Sequence, residues 1–340
     1  MKPVCGMPVL LMLIVVKESI GHEYVDQSLG VTDGNLLGMI TNIAREATSD
    51  CGEPKLSDIS LSLYTRSNPT RPIKLRPDNT TGIDIRKKII MTSHGWFSSS
   101  TTYLGPKLKD AYLKRYDCNL IVLDWFGIAM QIYSVTVCLL PKIALIVAGF
   151  LCGISKERGM SLRTVHLEGI SLGGQLSGLI GQETKRICRE DIGRITALDP
   201  AGPLFQGLPE FKRLDRSDAI FVQVIHTNQG GLGYFGNCGD VDFYPNCGVI
   251  QNGCPKVDVI EAAKYPPLTI ACDHVRSLDY LYESITSNNF KAKSCKACPL
   301  YCSPDTFNVA EVVMGEGCSP NTTSGAYVLQ TNSEPPFAMG

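Results

Sequence analysis

The sequence predicts an α/β fold in which a mostly parallel sheet carries helices on both faces, and three observations predict it. Short apolar runs bounded by turn residues recur at 88–92, 119–123, 164–167, 194–198 and 219–225, with helical stretches between several of them, the pattern of parallel strands joined by crossover helices. The run 164–167 leads directly into Gly-Ile-Ser-Leu-Gly and then into a segment with small residues at Ser177, Gly178 and Gly181, suited to a helix packed close to a sheet. The chain has 340 residues, 44% of them hydrophobic and 19% charged, an ordinary globular composition that one such core accommodates.

Taken in order, residues 1–21 read as a secretory leader: Lys2 precedes the apolar run 8–16, and Ser19 and Gly21 are small residues near a cleavage point. Residues 22–340 then form one domain. Fourteen cysteines, of which Cys5 falls in the leader, leave thirteen in the mature chain. In an exported protein that number implies several disulfides and one thiol left over or paired between chains. Asn79-Thr80-Thr81 and Asn321-Thr322-Thr323 are glycosylation acceptors, which agrees with export. Cys295, Cys298 and Cys302 lie close together, but no histidine follows His274 to complete a mixed zinc site. The formal net charge of -1 carries no polyanion signal and argues against a nucleic-acid partner.

Ile59 to Tyr64 alternates apolar and polar residues, as a half-exposed strand near a sheet edge does, and Asn68-Pro69 ends it. Lys88 to Thr92 reads as a buried strand leading into Ser93-His94-Gly95-Trp96. Ser98 to Thr101 supply caps for a helix reaching Arg115, with Leu108, Ala111 and Tyr112 inward. Asn119 to Leu123 is the next strand. The run 135–154 is apolar enough to raise a membrane span, but Pro141 and Gly149 interrupt it and a crossover helix belongs at this place, so a buried or partly covered helix is the expectation. Arg194 to Leu198 ends at Asp199-Pro200, and Ala219 to Ile225 gives a further strand. A last helix, marked by Val275, Leu278, Tyr282 and Ile285, begins near His274 with Asp273 available as its cap.

Gly169-Ile170-Ser171-Leu172-Gly173 fits G-x-S-x-G, the elbow in which a strand turns sharply into a helix and lifts a serine above the sheet. Glycine is needed on both sides because the strained turn brings neighbouring backbone too close for a Cβ. Ser171 is therefore the candidate nucleophile; a Gly/Ser turn without chemistry is the competing reading of the pentapeptide alone. An elbow serine needs a base and a carboxylate that orients the base, in the chain order Ser, Asp or Glu, His of α/β-hydrolases. The histidines stand at 22, 94, 166, 226 and 274, so only His226 and His274 satisfy that order. His274 is preferred because it sits where a loop meets a helix, whereas His226 ends a strand as a satisfied structural histidine and His166 belongs to the core. Asp199, at a strand end, is the orienting carboxylate. Backbone N–H groups of Leu172, just after the nucleophile, and Trp96, in the loop after an earlier strand, are the expected oxyanion donors.

Together Ser93-His94-Gly95-Trp96, Val122-Leu123-Asp124-Trp125, the elbow, Ala197-Leu198-Asp199-Pro200-Ala201, Val224-Ile225-His226-Thr227, Asp242-Phe243-Tyr244-Pro245-Asn246 and Cys272-Asp273-His274-Val275-Arg276-Ser277 resemble, in collinear order, the pancreatic lipase family of secreted lipases, including insect neutral lipases and phospholipases A1. The resemblance implies an α/β-hydrolase fold and the triad Ser171, Asp199 and His274. It also departs from the family: Ile170 stands where a histidine usually precedes the nucleophile, and the tail after Ile285 offers no space for the lipid-binding β-sandwich of larger relatives.

Further implications follow from the same resemblance. Segment 210–218 looks like the calcium loop of some relatives, in which the carboxylates of Asp215 and Asp218 and the carbonyls of Glu210 and Arg213 would hold a structural ion; a metal-free loop held by Arg–Asp pairs is the competing expectation. The chemistry itself requires no cofactor. The family pairs cysteines such as Cys254 and Cys272 at the base of a lid, here with seventeen residues between them, and both this lid and segment 229–238 look shorter than in typical triacylglycerol lipases. Short covers are similar to those of phospholipases A1. The implied activity is hydrolysis of glycerolipid acyl esters at a membrane or emulsion surface, phospholipase A1 ahead of triacylglycerol lipase. Some relatives, such as insect yolk proteins, keep the fold without a working triad, which leaves storage or lipid binding as the non-catalytic alternative.

Overall fold

In the computed structural model, residues 51–76, 79–102, 105–255, 271–305 and 311–340 are described. The leader and the interior of the expected lid lie outside these residues. One sheet of eleven strands organises the rest: β1 Ser60–Tyr64, β2 Ile73–Leu75, β3 Ile89–Ser93, β4 Asn119–Asp124, β5 Val165–Ile170, β6 Arg194–Leu198, β7 Val222–Ile225, β8 Val241–Pro245, β9 Lys291–Ser294, β10 Val312–Val313 and β11 Gly325–Leu329. Their order is β10-β9-β11-β8-β7-β6-β5-β3-β4-β1-β2. Every pairing from β4 across to β11 is parallel. Antiparallel strands close both ends, β1 and β2 at one and β9 and β10 at the other. This is the α/β-hydrolase architecture: a central parallel sheet covered by helices.

Period-two alternation sorts each strand between two cores. Ile89, Met91, Ile121, Leu123, Val165, Leu167, Ile195 and Ala197 face one side. Ile90, Leu120, Ile170, Leu198, Ile225 and Phe243 face the other. Among the described residues, four helices of eleven residues or more cover these faces: α1 Gly105–Arg115, α2 Tyr133–Arg158, α3 Leu172–Cys188 and α4 Cys272–Ser284. The first core takes in α2 and α3, and the second takes in α1 and α4.

Helix α2 is the one helix among the described residues long and apolar enough to cross a membrane. Its Leu139, Ile143, Val147 and Leu151 are instead buried in the first core, while Pro141, Leu145 and Gly149, spaced by four, form an outward stripe. Pro141 is tolerated on that stripe inside the helix. Gly159, in the left-handed conformation, ends the helix by donating its N–H to the Ser155 carbonyl. Cys152–Cys188 bonds α2 to α3, and Cys51–Cys138 fastens the first described residues to α2.

Several expectations need correction. β1 is not half exposed: Leu61, Ser62 and Leu63 are all buried, since β2 rather than β1 forms the edge and Lys74 Nζ reaches Ser62 Oγ at 2.8 Å. Helix α1 starts at Gly105, so Ser98 to Thr101 make a turn of mutual hydroxyl contacts instead of a cap. Five disulfides form among the described residues and leave three buried thiols, Cys118, Cys238 and Cys318, rather than one. The tail cysteines pair as Cys247–Cys302 and Cys295–Cys298.

Candidate active site

Strand β5 runs between β3 and β6, with Gly169 beside Ser93 and Ala197, so whatever follows it emerges in the middle of the sheet's carboxyl edge. Ser171 does so with φ 57° and ψ −123°, a strained backbone that turns directly into α3. The turn closes only with glycine at its two sides. A Cβ on Gly169 would collide with the carbonyl of Gly173, and one on Gly173 would sit 2.6 Å from the Ser93 carbonyl oxygen. Ile170, in place of the family's usual histidine, is buried in the second core.

Asp199 leaves β6 with φ 40° and is fully buried. Its Oδ1 accepts the backbone N–H groups of Thr227 at 2.8 Å and Asn228 at 3.0 Å. Its Oδ2 lies 2.6 Å from His274 Nδ1. A carboxylate can only accept, so the imidazole proton sits on Nδ1 and Nε2 keeps its lone pair, the arrangement a general base requires. The His274 carbonyl accepts from Thr227 Oγ1 at 3.2 Å and Ser277 Oγ at 2.9 Å, which fixes the imidazole's own backbone. Asp273 does not cap α4; Ala271 occupies that position without a side-chain bond, and Asp273 Oδ1 accepts the Gln251 N–H at 2.6 Å.

Leu172 is the first residue of α3, where an N–H has no acceptor within the helix. The loop after β3 presses against the nucleophile from the other side: a Cβ on Gly95 would stand 2.9 Å from Ser171 Cβ. Trp96 follows, with Nε1 donating to the Gln131 carbonyl at 2.8 Å and its ring set edge-on to Phe97 and Tyr133. His94 Nδ1 lies 2.9 Å from the Gly95 carbonyl oxygen, and the ring stacks on Trp125. Burial works against the neighbouring Asp124 carboxylate, yet the adjacent His94 ring, the Ser100 hydroxyl and the Phe126 N–H hold its pKa below the usual range.

The other two histidines among the described residues, His166 and His226, are buried. His226 Nε2 donates to Asp242 Oδ1 at 2.8 Å, but Nδ1 has no hydrogen-bond partner, so it is satisfied at one ring nitrogen only. Cys238 stands close enough to His226 and Asp242 to suggest a metal cluster. Asp242, however, already receives N–H groups from Cys238 and Gly239. His166, Glu168 and Glu316 form a second cluster beneath the elbow strand. Lys88 and the Tyr112 hydroxyl serve Glu316 there, and Tyr112 also bonds Glu168. Burial and then the charge of Glu316 push the Glu168 carboxyl well above its ordinary range.

The four expected calcium ligands lie in one short loop, and the chain already supplies partners to each of these residues. The Glu210 and Arg213 carbonyls accept from Gln182 Nε2 at 3.3 and 2.9 Å. Asp215 and Asp218 close a reciprocal capping box on each other's backbone. Arg213 Nη1 stands 3.7 Å from the second Asp215 oxygen. An ion among these oxygens would have to displace the Gln182 amide and compete with the Arg213 guanidinium. The residues as placed do not fit the ion.

Sequence reasoning did not foresee that Thr227 and Asn228 anchor Asp199, nor that Gln251 ties the two catalytic loops by donating to the Thr227 carbonyl at 2.9 Å. The only hint was that Thr227 directly follows His226 at the end of a strand. Cys254–Cys272 does form, beside Arg276 Nη2.

A family description named Lipase matches residues 27–337. The chain is 38% identical over 239 residues to Lipase member H-A of Xenopus laevis, covering 68% of this chain and 49% of that one. It is 39% identical to Lipase member H of Oryctolagus cuniculus, with 68% and 50% covered. It is 32% identical over 274 residues to pancreatic triacylglycerol lipase of Myocastor coypus, with 76% and 59% covered. The chain thus spans about half the length of these relatives. With a match that takes in nearly every described residue, the elbow and both catalytic loops included, this chain belongs to the pancreatic lipase family.

Proposed function

We propose that the chain is a serine-dependent hydrolase of carboxylic esters in glycerolipids. The observation that carries this reading is the Asp199–His274 bond of 2.6 Å, held at the carboxyl edge of the same sheet whose central strand delivers Ser171 in a strained elbow. His274 Nε2 takes the Ser171 Oγ proton as Oγ bonds to the ester carbonyl carbon. The N–H groups of Leu172 and Trp96 receive the resulting oxyanion. Collapse expels the alcohol, which leaves with the proton held by His274, and water then repeats the sequence and releases the fatty acid.

Within that class, phospholipase A1 activity is favoured by the small lid, whose bonded cysteines are only 18 positions apart. A short cover leaves space for a polar head group. Triacylglycerol hydrolysis is the second reading, supported by the name of the coypu relative. Five disulfides favour an exported protein. The test is fatty-acid release from phosphatidylcholine labelled separately at each acyl position and from a triacylglycerol emulsion, beside Ser171→Ala. Release from the sn-1 position that disappears in Ser171→Ala is the expected result. Triacylglycerol cleavage alone would keep the triad and discard the head-group argument. No release from any substrate, together with no labelling by a serine-reactive phosphonate, would overturn hydrolysis in favour of lipid binding.

A further inference from the structure

We propose that Gln182 takes the place of the calcium ion in loop 210–218, so that the loop beside the elbow helix is held without metal. One face of α3 presents Gln175, Gly178, Gly181 and Gln182, spaced at three and four residues, and the loop lies directly on it. The two glycines set the contact distance. A Cβ on Gly178 would come within 2.7 Å of both Leu214 Cα and Asp218 Oδ2, and one on Gly181 would overlap the Asp218 carbonyl. The two glutamines do the bonding. Gln175 Oε1 accepts the Leu214 N–H at 2.8 Å while its amide donates to the Ala201 carbonyl at 2.7 Å.

Gln182 Nε2 then points among the carbonyls of Glu210 and Arg213, with the Asp218 carboxyl also in hydrogen-bond reach. An amide NH₂ brings two donors to this oxygen-lined point, and it arrives covalently tethered to the nucleophile's helix. A divalent ion at that point would have to eject the amide and draw Arg213 and Glu210 oxygens inward from 2.9 and 3.3 Å. The glycine contacts leave the loop no slack to close on the helix in this way. Charge agrees: the Arg213 guanidinium already faces Asp215, and both are nearly buried. The assignment rests on helix and loop alone and is independent of which ester, if any, the protein cleaves.

The experiment uses the full purified protein. Calcium uptake is measured by equilibrium dialysis with radiolabelled calcium, and the melting temperature is measured in EDTA and in millimolar calcium chloride, for wild type and Gln182→Glu. Wild type is expected to take up no calcium and to melt at the same temperature in both solutions. Gln182→Glu places a carboxylate among the same oxygens and is expected to gain a calcium-dependent rise of about 2–4 °C or more. One calcium per wild-type chain, or a wild-type melting temperature that falls in EDTA, would overturn the assignment. So would a Gln182→Glu protein whose melting ignores calcium, because the oxygens would then not surround residue 182.

Discussion

His94 Nδ1 donates to the carbonyl of Gly95 at 2.9 Å, and that carbonyl shares its peptide plane with the N–H of Trp96. Holding the carbonyl fixes the plane of that peptide and with it the direction of the Trp96 N–H. In the proposed mechanism, where the Trp96 N–H receives the oxyanion, His94 would be a positioning residue acting through the Gly95–Trp96 peptide. His94→Leu is expected to lower kcat by up to about 10²-fold with little change in KM, because a preorganised donor acts chiefly in the transition state. His94→Asn, which retains an N–H near Nδ1, is expected to recover part of that loss. Steady-state kinetics on a short-chain ester, with melting curves as a folding control, decide the matter; a change confined to KM would sink it.

Gly233 lies against the Asp199 carboxylate. A Cβ there would stand 2.6 Å from Asp199 Oδ2 and closer still to Oδ1. Gly233→Ala is expected to push the carboxylate off His274 and lower kcat on the order of 10²–10⁴-fold, approaching what loss of a triad acid does. Circular dichroism should show the fold retained. Wild-type activity in the folded variant would show that the 228–234 loop yields instead.

Glu168 supplies a pH dependence of stability. Its Oε2 is buried without a hydrogen-bond partner, and burial followed by the charge of Glu316 raises its pKa. The folded chain therefore holds a proton there that the unfolded chain releases near the ordinary value of 4.5. Stability from this group is full below that value and is lost as pH rises toward the folded pKa, by at most about 1.4 kcal/mol per pH unit. Glu168→Gln, which mimics the protonated acid, is expected to melt like wild type in mild acid and above it in alkali. Parallel wild-type and variant melting temperatures across that range would refute the protonated assignment.

Much of the site was legible because its chemistry is written locally. The elbow glycines, Asp199 at a strand end and His274 at a helix start each belong to a short motif whose neighbours have visible reasons, and only two histidines follow Ser171. The central parallel strands were legible for a similar reason, as apolar runs buried on both faces. What stayed hidden depends on pairs distant in sequence. Glu168 and Glu316 meet across 148 positions, and nothing around either marks the other. Nothing around Gln182 marks its contact, which depends on a loop some thirty positions onward. Strand β9 was hidden too: Lys291 and Lys293 mask an alternation that turns Ala292 inward. Ser98 to Thr101 show the opposite failure: these good capping residues bond to one another, to Thr102 and to Asp124, and the helix begins later.

Strand β11 lies between β8 and β9, so residues 325–329 complete the parallel part of the sheet. During synthesis the open edge of β8 has no partner until those residues have left the ribosome, long after Ser171, Asp199 and His274 have emerged. The catalytic half of the chain therefore waits, with an unpaired hydrophobic edge, for its last strand. Chaperone dependence and losses to aggregation should concentrate in that interval, and truncations that remove residues 325–329 should fail to fold even though they spare Ser171, Asp199 and His274.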